Sequence, residues 1–355
     1  MESGIMNFQD IARLRAANQT IENPRFNNIL DVVTWMGAIQ GQDYTSSLLA
    51  IALRTPSLTT ADVTMAFAER EIVRTWPMRG TLHIVPTRDA SWMVRLLGNR
   101  GIVAARKRRD DLGLDAATTL RALNLFTEVL SAGPQTRPEL YEALRLSGID
   151  PDGQRGIHLI GYAAQSGVIC GIGKSGNQPA FALLEQWCPN PVHLEGDEAW
   201  ATLAGRYIQS HGPVTERDFA WWAGITLSQA KQAFSIDASK YERIGVDKDT
   251  FVISGCDMLG LDDQPGTVLV PAFDESYLGY GDRSAMLARE LQPLVVPGGN
   301  GVFRPVVLTA GKVVGTWSWP SRIPTDPEIG WFWESGRPPP RQLDAAFGRL
   351  RAARG

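Results

Sequence analysis

A chain of 355 residues, 44% hydrophobic and 21% charged, is long enough for two to three domains and apolar enough for a real core. That excludes disordered and fibrous classes, and a net charge of −3 does not by itself announce a nucleic-acid partner, since a local patch is what counts. No apolar run reaches the roughly 18 residues a membrane helix needs, and Met1–Gln19 shows no apolar stretch before a small-residue cleavage site, so neither membrane nor secretory targeting is expected. Cys170, Cys188 and Cys256 are far apart, odd in number and without a C-x-x-C, which argues against a disulfide scaffold or a cysteine zinc site and fits a reducing cytoplasm.

In chain order, Ile29, Leu30, Val32, Val33, Trp35, Met36 and Ile39 form a helical apolar face after Asn27 and Asn28. Ser46–Leu53 and Ala61–Ile72 read as the next two helices. Pro77-Met-Arg-Gly80 then turns the chain into a short strand, Thr81–Val85, and a long helix begins near Thr87. From Arg70 to Arg109 the chain carries ten basic residues against Glu71 and Asp89, a local charge of +8. Such a run is either a solvated helix face or the footprint of an anionic partner, nucleic acid being the commonest.

An internal repeat carries the most information about organisation. Ser131-Ala-Gly-Pro-Gln-Thr136-Arg-Pro-Glu139-Leu140 matches Ser210-His-Gly-Pro-Val-Thr215-Glu-Arg-Asp218-Phe219 at an offset of 79 residues. Each copy stops one helix at Gly-Pro and opens another with a Thr cap and an acid three residues on, a capping box. A third cap, Thr226-Leu-Ser-Gln229, makes Thr215–Phe234 a helix-turn-helix. Hairpins follow both copies: Gly167–Ile172 with Ala180–Leu183, and Tyr241–Val246 with Thr250–Ile253. Three helices and a hairpin is the winged-helix order, and Asn27–Val85 offers a third instance. From about Gly266 the texture turns to strands, Thr267–Val270, Val302–Leu308 and Lys312–Trp319, with a hairpin at Ala310-Gly311 and a terminal helix over Gln342–Ala353. The fold class expected is α+β, mostly helical: tandem winged helix-turn-helix units with a small C-terminal β-rich domain. Its boundaries fall at 1–115, 116–190, 191–257 and 258–355.

No P-loop, G-x-G-x-x-G, H-E-x-x-H or G-x-S-x-G occurs. His83, His158, His193 and His211 are too scattered for a metal cluster, so no metal and no cofactor is expected. Trp35-Met-Gly-Ala-Ile-Gln40-Gly41-Gln42-Asp43-Tyr44 closes an apolar helix. On a continuous helix Gln40 and Gln42 would point about 200° apart. They converge only if the chain leaves the helix there, which Gly41 makes easy. The plain alternative is a polar helix terminus.

Gln40-Gly-Gln-Asp-Tyr44, Leu53-Arg-Thr-Pro56, Arg74-Thr-Trp-Pro-Met-Arg-Gly-Thr-Leu-His83, the segment Pro271-Ala-Phe-Asp-Glu-Ser-Tyr-Leu-Gly-Tyr-Gly-Asp-Arg-Ser284, Arg304-Pro-Val-Val-Leu and Val314-Gly-Thr-Trp317 together resemble the AlkZ/YcaQ-like DNA glycosylases, bacterial winged-helix proteins, in order and over nearly the whole chain. The resemblance implies tandem winged helices, excision of alkylated purines from double-stranded DNA, and in some members unhooking of interstrand crosslinks. A Q-apolar-Q or Q-apolar-D motif serves catalysis in the family. Carried across, it falls on Gln40 and Gln42, with Asp43 beside them. The sequence departs from it in having Gly41 in the middle and an acid one position late.

An amide is no useful base near neutral pH. It can orient a water and stabilise charge, which suffices when the leaving base is a cationic N7-alkylated purine. The chemistry therefore points to hydrolysis of cationic adducts, and the resemblance implies a monofunctional N-glycosylase. Arg74, Arg79, His83, Arg100, Arg106, Lys107, Arg108 and Arg109 are the candidate DNA-binding residues, expected to line a groove with the Gln pair. The alternatives are a non-catalytic winged-helix DNA-binding protein or transcriptional regulator, and a module that binds protein or small molecules. Nothing reads as a dimerisation coiled coil, so a monomer is expected, in the cytoplasm and on the nucleoid.

Overall fold

The computed structural model describes residues 6–254, 266–299, 301–320 and 326–355. Cys256 and the boundary expected at 257–258 lie outside them. About half of the described residues are helical, and none of their helices is long and apolar enough to cross a membrane. The contacts define two compact units, Met1–Val63 with Trp200–Gly355, and Thr64–Ala199.

One order of elements recurs three times. The first run is helix Ile29–Met36, strand Ile39–Gln40, helices Tyr44–Ala52 and Thr60–Ala68, and strands Ile72–Met78 and Thr81–Pro86. The second is helix Ala116–Ser131, strand Gln135–Thr136, helices Arg137–Leu146 and Arg155–Gln165, and strands Ile169–Ser175 and Gln178–Leu183. In the third, Gly196–His211, Glu216–Ala223 and Leu227–Ile236 precede the hairpin Tyr241–Val246 and Asp249–Ser254, and Val214 bridges to Val252 as the short strand. The capping boxes form as the repeat predicts. Glu139 accepts from the N–H of Thr136 at 2.6 Å, Asp218 from that of Thr215 at 3.0 Å, and Gln229 from that of Thr226 at 3.2 Å.

In the unit Thr64–Ala199 the strands run antiparallel in the order Thr81–Pro86, Ile72–Met78, Ile169–Ser175, Gln178–Leu183, Gln135–Thr136. The two hairpins meet where Arg74 faces Gly171, and a Cβ at Gly171 would stand 2.8 Å from the Arg74 carbonyl oxygen. Phe126, Leu130, Leu140, Leu144, Leu159 and Ile160 form the apolar core behind them. In the other unit, Thr267–Val270, Val306–Thr309, Lys312–Ser318 and Glu328–Trp331 make an antiparallel sheet in sequence order. Helix Pro340–Arg354 packs on its edge strand Thr267–Val270 and on helix Tyr44–Ala52.

Three expectations need correction. The helix expected over Ala61–Ile72 ends at Ala68, Arg70 takes a left-handed φ of 62°, and Ile72 opens a strand. Pro77 belongs to that strand and not to a turn; the ladder shifts register between Thr75 and Met78, which is where a residue lacking an N–H is tolerated. The reversal is the two-residue Arg79-Gly80, both at positive φ (56° and 68°), the form that suits a twisted hairpin. The strand expected from Val302 begins only at Val306.

Candidate active site

The helix Ile29–Met36 ends at Gly37, whose φ of 75° takes the chain out of the helix. The break is therefore at Gly37 and not, as expected, at Gly41. Gln40 follows in a short extended segment and is buried, while Gln42 is exposed.

Three consecutive backbone N–H groups of this turn donate to side-chain oxygens. That of Gln40 reaches Glu275 Oε1 at 2.8 Å, and those of Gly41 and Gln42 reach Gln40 Oε1 at 3.0 and 3.2 Å. The Gln40 oxygen is thus committed to its own turn, and what its amide has left is Nε2, a donor. Asp43 ends the turn as the N-cap of helix Tyr44–Ala52, accepting from Ser46 N–H at 2.7 Å. Of the three polar side chains in the motif, Gln40 shapes the turn, Asp43 starts the next helix, and Gln42 stands outside on a pinned backbone.

Sequence reasoning singled out Gln40 and Gln42 as candidates but missed what lies beneath. Glu275 is fully buried; its Oε2 accepts from Trp222 Nε1 at 3.1 Å and lies 3.6 Å from His211 Nε2. His211 stacks on Tyr207 at 4.6 Å, and its Nδ1 is 2.8 Å from Ser210 Oγ. Burial lowers the His211 pKa, against the neighbouring Glu275, which raises it. Asp274 meets the Arg54 guanidinium with both oxygens, at 2.8 and 2.9 Å. Burial alone would raise its pKa, but the Arg54 charge and hydrogen bonds prevail and lower it. Arg15 pairs with Asp218 at 3.2 Å and lies 3.9 Å from the centre of the Tyr280 ring. The signals available in sequence were Asp274-Glu275 inside an apolar and aromatic segment and Arg54 at a helix end, but no spacing rule joins residues more than two hundred positions apart.

The basic residues divide by exposure. Arg100, Arg106, Lys107 and Arg108 are exposed; Arg74 and Arg79 are half-buried; His83 and Arg109 are buried. His83 Nδ1 is 3.0 Å from the Thr81 carbonyl, so that nitrogen carries the proton. Arg109 donates to the Ile102 carbonyl at 2.8 Å and lies over the Tyr162 ring at 5.2 Å. Two of the eight candidates for DNA contact are therefore buried and hydrogen-bonded within the fold. Lys107 and Arg108 have partners of their own, Asp111 at 3.0 Å and Gln154 at 2.9 Å, but at the surface. No group of three metal-ligating side chains occurs among the described residues.

The family model described as AlkZ-like DNA glycosylase matches residues 33–322. The interstrand DNA cross-link repair glycosylase of Streptomyces sahachiroi is 25% identical over 323 residues, 85% of each chain. The solved structure of the DNA glycosylase AlkZ from the same organism superposes with a TM-score of 0.84 at 22% identity, covering 99% of this chain and 97% of that one, which establishes the shared fold. With most of its length inside the family model, the chain belongs to the AlkZ-like DNA glycosylase family.

Proposed function

We propose that the protein is a monofunctional DNA glycosylase that excises cationic N7-alkylated purines and unhooks interstrand crosslinks built on them. Gln42 holds the attacking water, and Gln40 shapes the turn that presents it. The observation that carries this reading is the exposed Gln42 amide on a backbone whose N–H groups are all engaged beneath it, in a chain of this family. The bond from the purine to C1′ breaks, its electron pair neutralises the alkylated base, and water adds to C1′ with loss of a proton to solvent. The leaving base needs no acid because it departs neutral. The Gln42 oxygen accepts from the water and orients it, and the amide dipole meets the charge growing on the sugar.

The three recurrent helix and hairpin runs are read as winged helices, followed by the C-terminal β-rich part. Affinity for the duplex comes from phosphate contacts by the exposed Arg100, Arg106, Lys107 and Arg108, with Arg74 and Arg79 as secondary contacts. Incubation with a duplex carrying N7-methylguanine or a nitrogen-mustard crosslink, followed by alkaline cleavage, tests the reaction. Strand breaks at the adduct are expected. Binding without breaks would leave a non-catalytic winged-helix DNA-binding protein, a reading favoured by the internal employment of Gln40 and Asp43.

A further inference from the structure

We infer that Glu275 is a positioning residue for this reaction, holding the Gln40–Gln42 turn through the backbone N–H of Gln40; the inference rests on the reading of Gln42 as the residue that places the water. A fully buried carboxylate is costly unless both oxygens are hydrogen-bonded. At Glu275 each oxygen meets an N–H donor on a different element: Oε1 that of Gln40 at 2.8 Å, and Oε2 that of the Trp222 indole at 3.1 Å. An amide at this position has one acceptor oxygen and must turn its NH2 toward one of the two donors. The arrangement therefore requires a carboxyl group and not merely a polar one.

Glu275 is itself held from behind. Asp274 caps its helical turn, accepting from Ser276 N–H at 2.8 Å while bound by Arg54. Gln19 Nε2 donates to the Glu275 carbonyl at 3.1 Å. The His211 ring closes the remaining side, packed so near Gly279 that a Cβ there would come within 2.7 Å of His211 Cδ2. Arg54 follows the helix that starts at the Asp43 cap, directly after Gln42. The constraints thus form a closed circuit: Gln40 N–H to Glu275, Glu275 to Asp274, Asp274 to Arg54, and Arg54 back along the helix to Asp43 and Gln42. A turn fixed at both ends has no slack, and an oriented water demands that, since misplacement by about 1 Å costs on the order of 10² in rate.

Glu275→Gln and Glu275→Asp test this, the first removing one acceptor, the second keeping the charge but withdrawing it by one methylene. Two quantities are read in each: hydrogen exchange of the Gln40 amide in glutamine-labelled protein, and single-turnover excision of N7-methylguanine alongside duplex Kd. Both variants are expected to speed Gln40 exchange about tenfold or more and to slow excision by a similar factor, with Kd unchanged. Leu140→Ala, in the apolar core of the other unit, lowers Tm but moves neither quantity. Trp222→Phe, which removes only the indole donor to the second oxygen, leaves Gln40 exchange near wild type. Unchanged Gln40 exchange in both Glu275 variants overturns the inference. So does faster exchange with full excision, because the turn would then be held to no catalytic effect. If the wild-type protein excises nothing, the proposed function fails and Glu275 positions no water. The exchange data separate that failure from the absence of the tether. Should Glu275→Gln not fold, Glu275→Asp and the exchange measurement decide alone.

Discussion

The two copies of the repeated cap differ in what the acid does. At Thr136 the partner is Glu139, exposed, and its carboxylate serves the helix start alone, accepting from the Thr136 N–H and hydroxyl at 2.6 Å. At Thr215 the partner is Asp218, 1% exposed. It makes the same cap, pairs with Arg15 at 3.2 Å, and accepts from the N–H groups of Gly281 and Asp282 at 3.0 and 3.1 Å. The surroundings of the two acids differ as well. Behind Thr136 lies a core of leucine, isoleucine and phenylalanine, although Thr64–Ala199 also buries His83, Asp89 and Arg109. The other unit buries Arg15, Arg54, Asp218, Asp274, Glu275 and His211. A buried polar network offsets its desolvation only when its members are paired and hydrogen-bonded, and this one lies under the turn that carries Gln42.

Asp218→Ala is expected to give the largest effect, since it leaves the Arg15 guanidinium buried without its carboxylate, at a cost of about 3–5 kcal/mol. Urea unfolding of this variant against Glu139→Ala measures the contrast directly. Equal losses in the two would dissolve it. Next is Gln42→Ala, expected to lower single-turnover excision about 10²-fold, the scale of one oriented polar group in a transition state, with duplex Kd unchanged. Asp43→Asn is its control, because a carboxylate can act as a base where an amide cannot; a larger loss there would make Asp43 the chemical group. Neutralising Arg106, Lys107 and Arg108 together is expected to do the reverse, lowering the slope of log Kd against log salt by about 0.9 per lost phosphate contact and sparing the excision step. Arg109→Ala should lower Tm and leave that slope alone, as the residue is buried and its guanidinium is bound to the Ile102 carbonyl.

Glu139→Ala is expected to cost far less than Asp218→Ala, since its exposed carboxylate serves only the helix start. The smallest effect is in pH. Burial lowers the His211 pKa, so below about 6.5 the unfolded chain takes up a proton that the native state refuses, and stability falls as pH drops. Glu22 acts oppositely. Its pKa is raised to about 6, mainly by burial, so the native state keeps a proton the unfolded chain has lost, and that contribution disappears as pH rises through about 6. Comparing Tm at pH 7.5 and 5.5 in wild type and His211→Gln isolates the histidine: the acid loss should shrink in the variant. An undiminished loss would assign it to other groups.

Some features follow from local physics alone. The Thr136, Thr215 and Thr226 caps, the hairpin turn at Ala310-Gly311 and the terminal helix are set by residues within a few positions of one another, and all were legible in the sequence. That the Gln40–Gln42 segment is the reactive one stands as the proposal, which Gln42→Ala tests. Local pattern failed at Ile72–Met78, where an apolar run continuing a helical one became a strand because a neighbouring strand was there to pair with it. Nor does local pattern separate Arg109 from Arg106 in the run Arg106-Lys-Arg-Arg109: Arg109 is buried and lies over Tyr162, while Arg106 is exposed. Which glutamine is spent on its own turn, and which carboxylate holds that turn, were decided by tertiary structure. Gln40 and Glu275 are 235 positions apart, and a hydrogen bond across that distance depends on the fold that brings its ends together, which no periodicity in the chain encodes.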